Sequence, residues 1–443
     1  MKKTLLIKNA IIATLGDKNR VLYNHAILCE GGEIKKIAPA PEFKGKYDKV
    51  IDGRGKVALP GFINVHMHFY STLVRGLGKA APSKNFGEVL ENLWWRLDKK
   101  LILDDCYYSA LIPIIDAIKR GTTTLIDHHA SPFAARGSLN AVAKAVKETG
   151  LRACLCYEVS DRDGAKIADD GLAENADFIK RCKKEKDPAL TALFGLHAAF
   201  TIGDKTLEKA AKAGHKLKTG FHIHTAEAEA DQVFSEANFG MRVVERLAKF
   251  GILGEKTIAA HCVHVNEKEM DILAETKTAV AHNPQSNMNN AVGVADVIKM
   301  TKKGILVGLG TDAMTVNMLE ELRVALWAQH LSHDNPSVGF VEALSTLPFN
   351  NAKIANRFWD VPLGELKEGA AADIALIDYY PPTPFSADNF LGHLCFGIAQ
   401  SSVDTTIASG NVLMEGKKLK LDLDEEEIAS RSSELAAALW ERF

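Results

Sequence analysis

The amino-acid sequence predicts an α/β fold: a (β/α)8 TIM-like barrel with a small β-sandwich domain built from both chain ends. Three observations carry that prediction. Through the middle of the chain, apolar runs of strand length alternate with longer segments of helical period, the grammar of βα units around a parallel sheet. Eight such runs can be read: "VALPGFINVHMH", "TTTLIDHH", "RACLCYEVS", "LTALFGLHA", "TGFHIHTAE", "TIAAHCVH", "TAVAHNPQSN" and "ILVGLGTDA". Eight strands close a barrel of this kind. The runs also end in residues that carry chemistry: His66 and His68, His128 and His129, Glu158, His197, His224 with Glu227, His261, His282, and Asp312. Active sites of such barrels gather at the carboxyl ends of the strands, so these side chains are expected at one mouth. A random scatter of 15 histidines would not favour strand ends so consistently.

The two chain ends have a different texture. "TLLIKNAIIATLG", "HAILCEGGEIKKIAP" and "KVIDGRGKVALPG" alternate short β-like runs with Gly and Pro punctuation, and "LKEGAAADIALIDYY" and "VDTTIASGNVLMEGKKL" return to it late. The predicted organisation is a composite β-sandwich from residues 1–58 and 362–420, a barrel over 59–361, and a C-terminal helix over 421–443. In that last segment acidic residues open the helix, which favours its positive end, and Ile428, Leu435, Ala438 and Leu439 recur at helical intervals.

Composition narrows the partners. The chain has 443 residues, and its 54 basic and 56 acidic residues leave a net charge of −2, so nothing points to nucleic acid or an anionic membrane surface. The opening "MKKTLLIKNAIIATLG" imitates a signal peptide, but Lys8 and Asn9 interrupt its apolar stretch, and it reads as a strand pair. No run is long and apolar enough to predict a membrane-spanning helix. The seven cysteines are odd in number and scattered, which does not make a disulfide framework. The expected compartment is the cytoplasm, and a homo-oligomer is allowed.

Within "PGFINVHMH", alternate strand residues leave on one face, so His66 and His68 point the same way. Two imidazoles on one face suggest a metal; two ordinary hydrogen-bonded histidines at a polar strand end are the alternative. Other strand-end residues keep bland readings too. His128 and His282 fit as loop supports, and Glu158 as a paired or solvated carboxylate.

Taken together and in order, "PGFINVHMH", "HIHTAE", "AAHCVH", "NPQSNMNNAVG" and "GLGTDA" resemble the amidohydrolase superfamily over nearly the whole chain. The combination is similar to its metal-dependent cytosine deaminase and chlorohydrolase-like branch, and "GTTTLIDHHASP" and "GTDAMTVNM" look most like the aminohydrolase SsnA group. The resemblance implies one divalent metal held by His66, His68, His224 and Asp312. That donor set suits zinc, with iron(II) or manganese as alternatives. It also implies Glu227, His261 and Asp312 as the catalytic groups, acting on a carbon–nitrogen bond other than a peptide. Two-metal members commonly use a modified lysine on strand four, and "LTALFGLHAAF" has none, so a binuclear centre is disfavoured. His222 competes with His224, but only His224 precedes Glu227 in the family's His-x-x-Glu motif; His222 is assigned a buried structural role.

The reaction implied is hydrolytic deamination of a purine-, pterin- or pyrimidine-like heterocycle, in which activated water attacks a ring C=N carbon and ammonia leaves. Bound zinc lowers the pKa of water to about 7. Opening of a cyclic amide or loss of halide from a halogenated heterocycle is the alternative, and a non-catalytic binding barrel is a third reading that an intact ligand set argues against. Substrate contacts are assigned to His197, Trp94, Glu91 and Arg75. Three of them have a bland counterpart: a structural role for His197, helix core for Trp94, and a surface ion pair for Arg75.

Overall fold

The predicted apolar runs become parallel strands in the computed structural model, which describes residues 3–443. They are β1 (Phe62–Met67), β2 (Thr122–Asp127), β3 (Arg152–Leu155), β4 (Phe194–Ala198), β5 (Phe221–Thr225), β6 (Ile258–His261), β7 (Ala279–His282) and β8 (Val307–Leu309). All their residues are buried except His224, which is half-buried. Burial on both faces explains why these segments read as continuous apolar runs instead of alternating ones. Helices follow the strands in sequence, for example Leu103–Lys119 after β1, Ser138–Thr149 after β2 and Met318–Ser332 after β8.

β1 to β3 form one parallel ladder and β4 to β8 another. Single bridges join the two sets, Val159 with Leu196 on one side and Met67 with Asp312 on the other. On the second side the amides of Thr311 and Asp312 both donate to the carbonyl of His66, at 2.9 and 3.0 Å. The result is a TIM-barrel-type fold of mixed α and β content.

One predicted run serves two sheets. "VALPGFINVHMH" breaks at Gly61, where a side chain would collide with Thr123 at 2.3 Å. Lys56–Pro60 pairs with Ile374–Asp378 outside the barrel, and only Phe62–Met67 enters it. The N-terminal end builds a four-stranded sheet by itself, and the two chain ends together build a seven-stranded sheet. Leu5, Ile7, Ile27 and Ile34 of the first share one apolar cluster with Ile12, Ala58, Ile374 and Ile407 of the second. The late segment is not purely β, however, because helix Phe390–Phe396 interrupts it. Arg152 at the start of β3 ties the assembly together: its buried guanidinium pairs with Asp373 and donates to Ser409 Oγ at 2.9 Å.

Helix Glu425–Arg442 closes the chain. Asp424 caps it by accepting from the amides of Glu426 and Glu427 at 2.9 and 3.2 Å, satisfying donors that a helix start leaves free. Its buried stripe is Ile428, Ser432, Leu435 and Leu439, whereas Ala438, expected inward, is exposed because it lies about a quarter of a turn round the helix from that stripe. Leu439 and Trp440 pack with Tyr70, Leu73 and Leu97 of the segment that follows β1, and Trp440 Nε1 donates to the carbonyl of Leu73 at 2.8 Å. Among the described residues no helix is long and apolar enough to cross a membrane, and all seven cysteines are free.

Leu439 is fully buried in that small cluster. Leu439→Ala is expected to destabilise the protein by about 2–5 kcal/mol, the usual cost of a large-to-small core change. The midpoint of denaturant unfolding measures it, and an unchanged midpoint would show that the terminal helix does not brace the body.

Candidate active site

Three imidazoles converge at the carboxyl end of the barrel because the far nitrogen of each is already engaged. His66 Nδ1 meets His222 Nε2 at 2.9 Å, His68 Nδ1 donates to the carbonyl of His128 at 2.6 Å, and His224 Nδ1 donates to the carbonyl of His197 at 2.9 Å. Their Nε2 atoms are thereby turned to one place. His68 Nε2 lies 3.1 Å from His224 Nε2 and 3.1 Å from Asp312 Oδ1, and His66 Nε2 lies 3.9 Å from the same carboxylate oxygen. The donor atoms of His66, His68, His128 and His224 lie within 4.8 Å of one another, as do those of His66, His261 and Asp312.

The electrostatics of the cluster call for a positive charge at its centre. Burial and neighbouring imidazoles push His66 and His224 well below the usual histidine value, leaving both rings neutral. Burial acts on His68 in the same sense, but Asp312 and Glu158, whose oxygens lie 3.1 Å from its two ring nitrogens, carry it well above that value. The neutral rings of His66 and His224, the ring of His68 and the carboxylate of Asp312, with the buried Nε2 of His66 left unpartnered, make a candidate metal site.

Asp312, Glu227 and His261 stand beside this point. His261 Nε2 is 3.5 Å from Glu227 Oε2 and 3.7 Å from Asp312 Oδ2, and it too is buried with no partner of its own. Burial, reinforced by the charge of Asp312, raises Glu227 well above the usual carboxylate range. Burial lowers His261 to about 4. The backbone is bent to deliver these groups: His261 at φ 73° and Asp312 at φ 52° occupy the left-handed region, which costs a non-glycine residue roughly 1–2 kcal/mol.

The helix that follows β7, Pro284–Asn289, supplies support that the sequence reading did not assign. Ser286 donates to Asp312, Asn287 Nδ2 donates to His261 Nδ1 at 2.8 Å, and Asn290 Nδ2 contacts Glu227 at 3.4 Å. The signal was present in "NPQSNMNN", five residues with short amide or hydroxyl donors around a helix start directly after a strand-end histidine.

A pocket opens above the convergence point. Trp94, Trp95, Phe200 and Met314 form its apolar walls, His197 lines it, and Asp98 adds a buried carboxylate. A widened turn at Leu90–Trp94 shifts the helical phase, so that both tryptophans reach the pocket. Asp98 was missed by the sequence reading although it lies four residues after Trp94 on the same helical stretch. Arg162 Nη2 donates to it at 2.7 Å and stacks over Trp95 at 5.0 Å. Burial raises Asp98 to about 6 against the pull of Arg162.

Two expected substrate contacts lie elsewhere. Glu91 is exposed, because the face of its helix that carries Phe86, Leu90 and Trp94 turns inward and leaves it outward. Arg75 is 3.3 Å from Asp116 in an exposed ion pair on the outer surface. Among the other histidines, His222 is fully buried and orients His66. His128 stacks on His222 with ring centroids 4.5 Å apart. His264 Nε2 reaches the carbonyl of Val292 at 2.7 Å, as a loop support would. Nothing in the structure pairs either ring nitrogen of His282.

Imidazoles and a carboxylate gathered at the carboxyl end of a parallel α/β barrel define a metal-dependent hydrolase. The comparisons agree with that class. Residues 57–413 match the model of the Amidohydrolase family, and the chain belongs to that family. It is 32% identical over 422 residues to a 5-methylthioadenosine/S-adenosylhomocysteine deaminase of Thermoanaerobacter pseudethanolicus, covering 94% of this chain and 95% of the relative. Among solved structures, it is similar to a zinc-bound adenosine deaminase from Xanthomonas campestris, with a TM-score of 0.87 at 21% identity and 98% coverage of both chains. It is also similar to the zinc complex of an atrazine chlorohydrolase from Arthrobacter aurescens TC1, with a TM-score of 0.81 at 23% identity, over 98% of this chain and all (100%) of the other.

Proposed function

We propose that the chain is a mononuclear metal-dependent hydrolase that deaminates an amino-substituted heterocycle, a purine nucleoside or its thioether derivative. The observation that carries this reading is the convergence of His66, His68 and His224 with Asp312, beside a buried Glu227 that faces His261. The name of the curated relative, a deaminase of 5-methylthioadenosine and S-adenosylhomocysteine, supports the substrate class. The free cysteines fit a reducing cytoplasm. We read the ring of parallel strands as one closed (β/α)8 barrel, spanning about residues 59–361, and the two packed sheets from the chain ends as its β-sandwich companion.

His66, His68, His224 and Asp312 would hold one divalent ion, zinc before iron(II) or manganese. When bound, such an ion acts as a Lewis acid and brings the pKa of water from 15.7 to about 7. The chain's own groups then divide the proton traffic. Asp312 Oδ2, which accepts from Ser286, takes the proton of the attacking water. Glu227 gives a proton to the ring nitrogen beside the attacked carbon, so a C–O bond forms as the C=N bond becomes single. Asp312 then passes the proton it took to the exocyclic amine, which leaves as ammonia when its C–N bond breaks, and the new hydroxyl becomes C=O as its proton returns to Glu227. Trp94, Trp95 and Phe200 exclude water and meet the planar ring, and His197 stands at its edge.

Metal content tests the ligand set. The purified protein is expected to carry about one transition metal per chain; His68→Ala should lose it, and His222→Ala should keep it. Two metals per chain, both required for activity, would overturn the mononuclear reading, and the reverse response of the two variants would exchange the ligands. Glu227→Gln should keep metal and fold while turnover falls by roughly 10²-fold to 10⁴-fold; near-normal turnover would reduce Glu227 to a support for its neighbours.

A screen of metal-loaded protein with ammonia detection tests the reaction. Methylthioadenosine, adenosine, guanine, pterins and cytosine form one arm, and cyclic amides and chlorinated triazines form the other, with Asp312→Asn as the inactive control. Ammonia from at least one aminated ring is expected. Efficient ring opening or chloride release, with no aminated substrate consumed, would replace deamination by the alternative hydrolysis.

A further inference from the structure

The ring of His261 meets the protein on both of its nitrogens, and the two sides are unlike. Nε2 faces the reacting space between Glu227 Oε2 at 3.5 Å and Asp312 Oδ2 at 3.7 Å. Nδ1 faces away from it and meets two side-chain amides, Asn287 Nδ2 at 2.8 Å and Asn283 Nδ2 at 3.4 Å. His261, Asn283 and Asn287 are all 0% exposed, so bulk water does not compete for these contacts.

A neutral imidazole has one N–H and one lone pair, and the partner of one nitrogen decides the role of the other. Asn287 alone leaves the choice open. Its carboxamide could present nitrogen to a lone pair on Nδ1 or, reversed, oxygen to an N–H there, and in either orientation one end stays without a partner. Asn283 breaks the tie. Its Nδ2 also donates to the carbonyl of Ala281 at 3.2 Å, which fixes that amide with its nitrogen toward His261. An N–H on Nδ1 would oppose this second N–H, whereas a lone pair accepts both amides.

We propose that Asn287 is the positioning residue that sets the tautomer of His261, its amide donating to Nδ1 so that the proton resides on Nε2. His261 then meets the reacting group as a hydrogen-bond donor and does not offer Nε2 as a metal ligand. Asn287 is the middle member of a row in which Ser286 serves Asp312 and Asn290 serves Glu227. One short helix therefore sets the hydrogen-bonding state of each group that handles a proton. The inference rests on the proposed reaction only for what the donor does; the tautomer is a property of the resting protein.

Zinc-loaded protein labelled with ring-¹⁵N histidine gives the decisive measurement, long-range ¹H–¹⁵N correlation. The His261 signals are identified by their loss in His261→Gln. The wild type is expected to show the Nε2–H pattern. In Asn287→Asp, whose carboxylate only accepts, the proton should appear on Nδ1, and kcat should fall about 10-fold to 100-fold, as for other partners that orient a site histidine, with KM little changed. Asn287→Ala should show both tautomers in exchange. An Nδ1–H pattern in the wild type, or a pattern that Asn287→Asp does not move, overturns the proposal. The wild-type spectrum decides the matter even if the variants fail to fold. Failure of the deaminase reading would show instead as a wild type with the expected tautomer and no ammonia release.

Discussion

The site depends on one constraint: each converging imidazole must have its far nitrogen tied before its near nitrogen can point inward. Carbonyls of the barrel's own strand ends tie two of them, through the His128–His68 and His197–His224 contacts, and the buried ring of His222 ties the third. These partners come from β4, β5 and the turn after β2, so the orientation is fixed by the strand register and not by flexible loops. The same constraint is expensive. A buried polar atom without a partner costs roughly 1–3 kcal/mol, and both His66 Nε2 and His261 Nε2 are in that condition. Stability alone would not select such an arrangement. The proposed cation at the convergence point would give the first atom a partner, and a reacting group would give the second one.

This division between scaffold and loop also explains what was legible in the sequence. His66, His68, His224, His261 and Asp312 stood out because strand periodicity and a parallel-barrel rule send strand-end side chains to one mouth. The supporting amides in "NPQSNMNN" were visible as letters, but which of them would reach which partner depends on how the helix after β7 is set against β6 and β8, information that no local pattern holds. Asp98 was hidden for a related reason. Its place in the pocket follows from a widened turn at Leu90–Trp94 and from Arg162 reaching across from the segment after β3. Glu91 was misplaced because helical phase, not residue type, decides which side chains of a covering segment face inward, and Arg75 because it lies past the end of the turn Phe69–Val74, where Asp116 pairs with it on the surface.

The fold shows the same pattern at larger scale. The eight strands were readable because burial on both faces gave them continuous apolar runs. The boundary at Gly61 was legible only in part: the Pro60-Gly61 pair marks a turn and the expected domain boundary fell at residues 58/59, but the close approach of Thr123 is what sets the break in the run. That boundary matters for function. Lys56–Pro60 is locked into the seven-stranded sheet immediately before β1, so the strand that delivers His66 and His68 is anchored at its start by a second layer of structure.

The pocket wall is held by different means from its floor. Floor residues belong to strands within the barrel, whereas Trp94, Trp95 and Asp98 sit on a covering segment whose backing comes from the end of the chain, through Leu439, Trp440 and the contact of Trp440 with Leu73. Arg162 joins the two regimes, because it extends from the turn after β3, pairs with Asp98 and lies over Trp95. Under the proposed reaction, a change in the covering segment would alter which ring is accepted without moving the imidazoles beneath it. The same fold recurs in an adenosine deaminase and a chlorohydrolase with which the chain has 21% and 23% of residues in common, and a wall braced separately from the barrel strands is a part that can change while the fold does not.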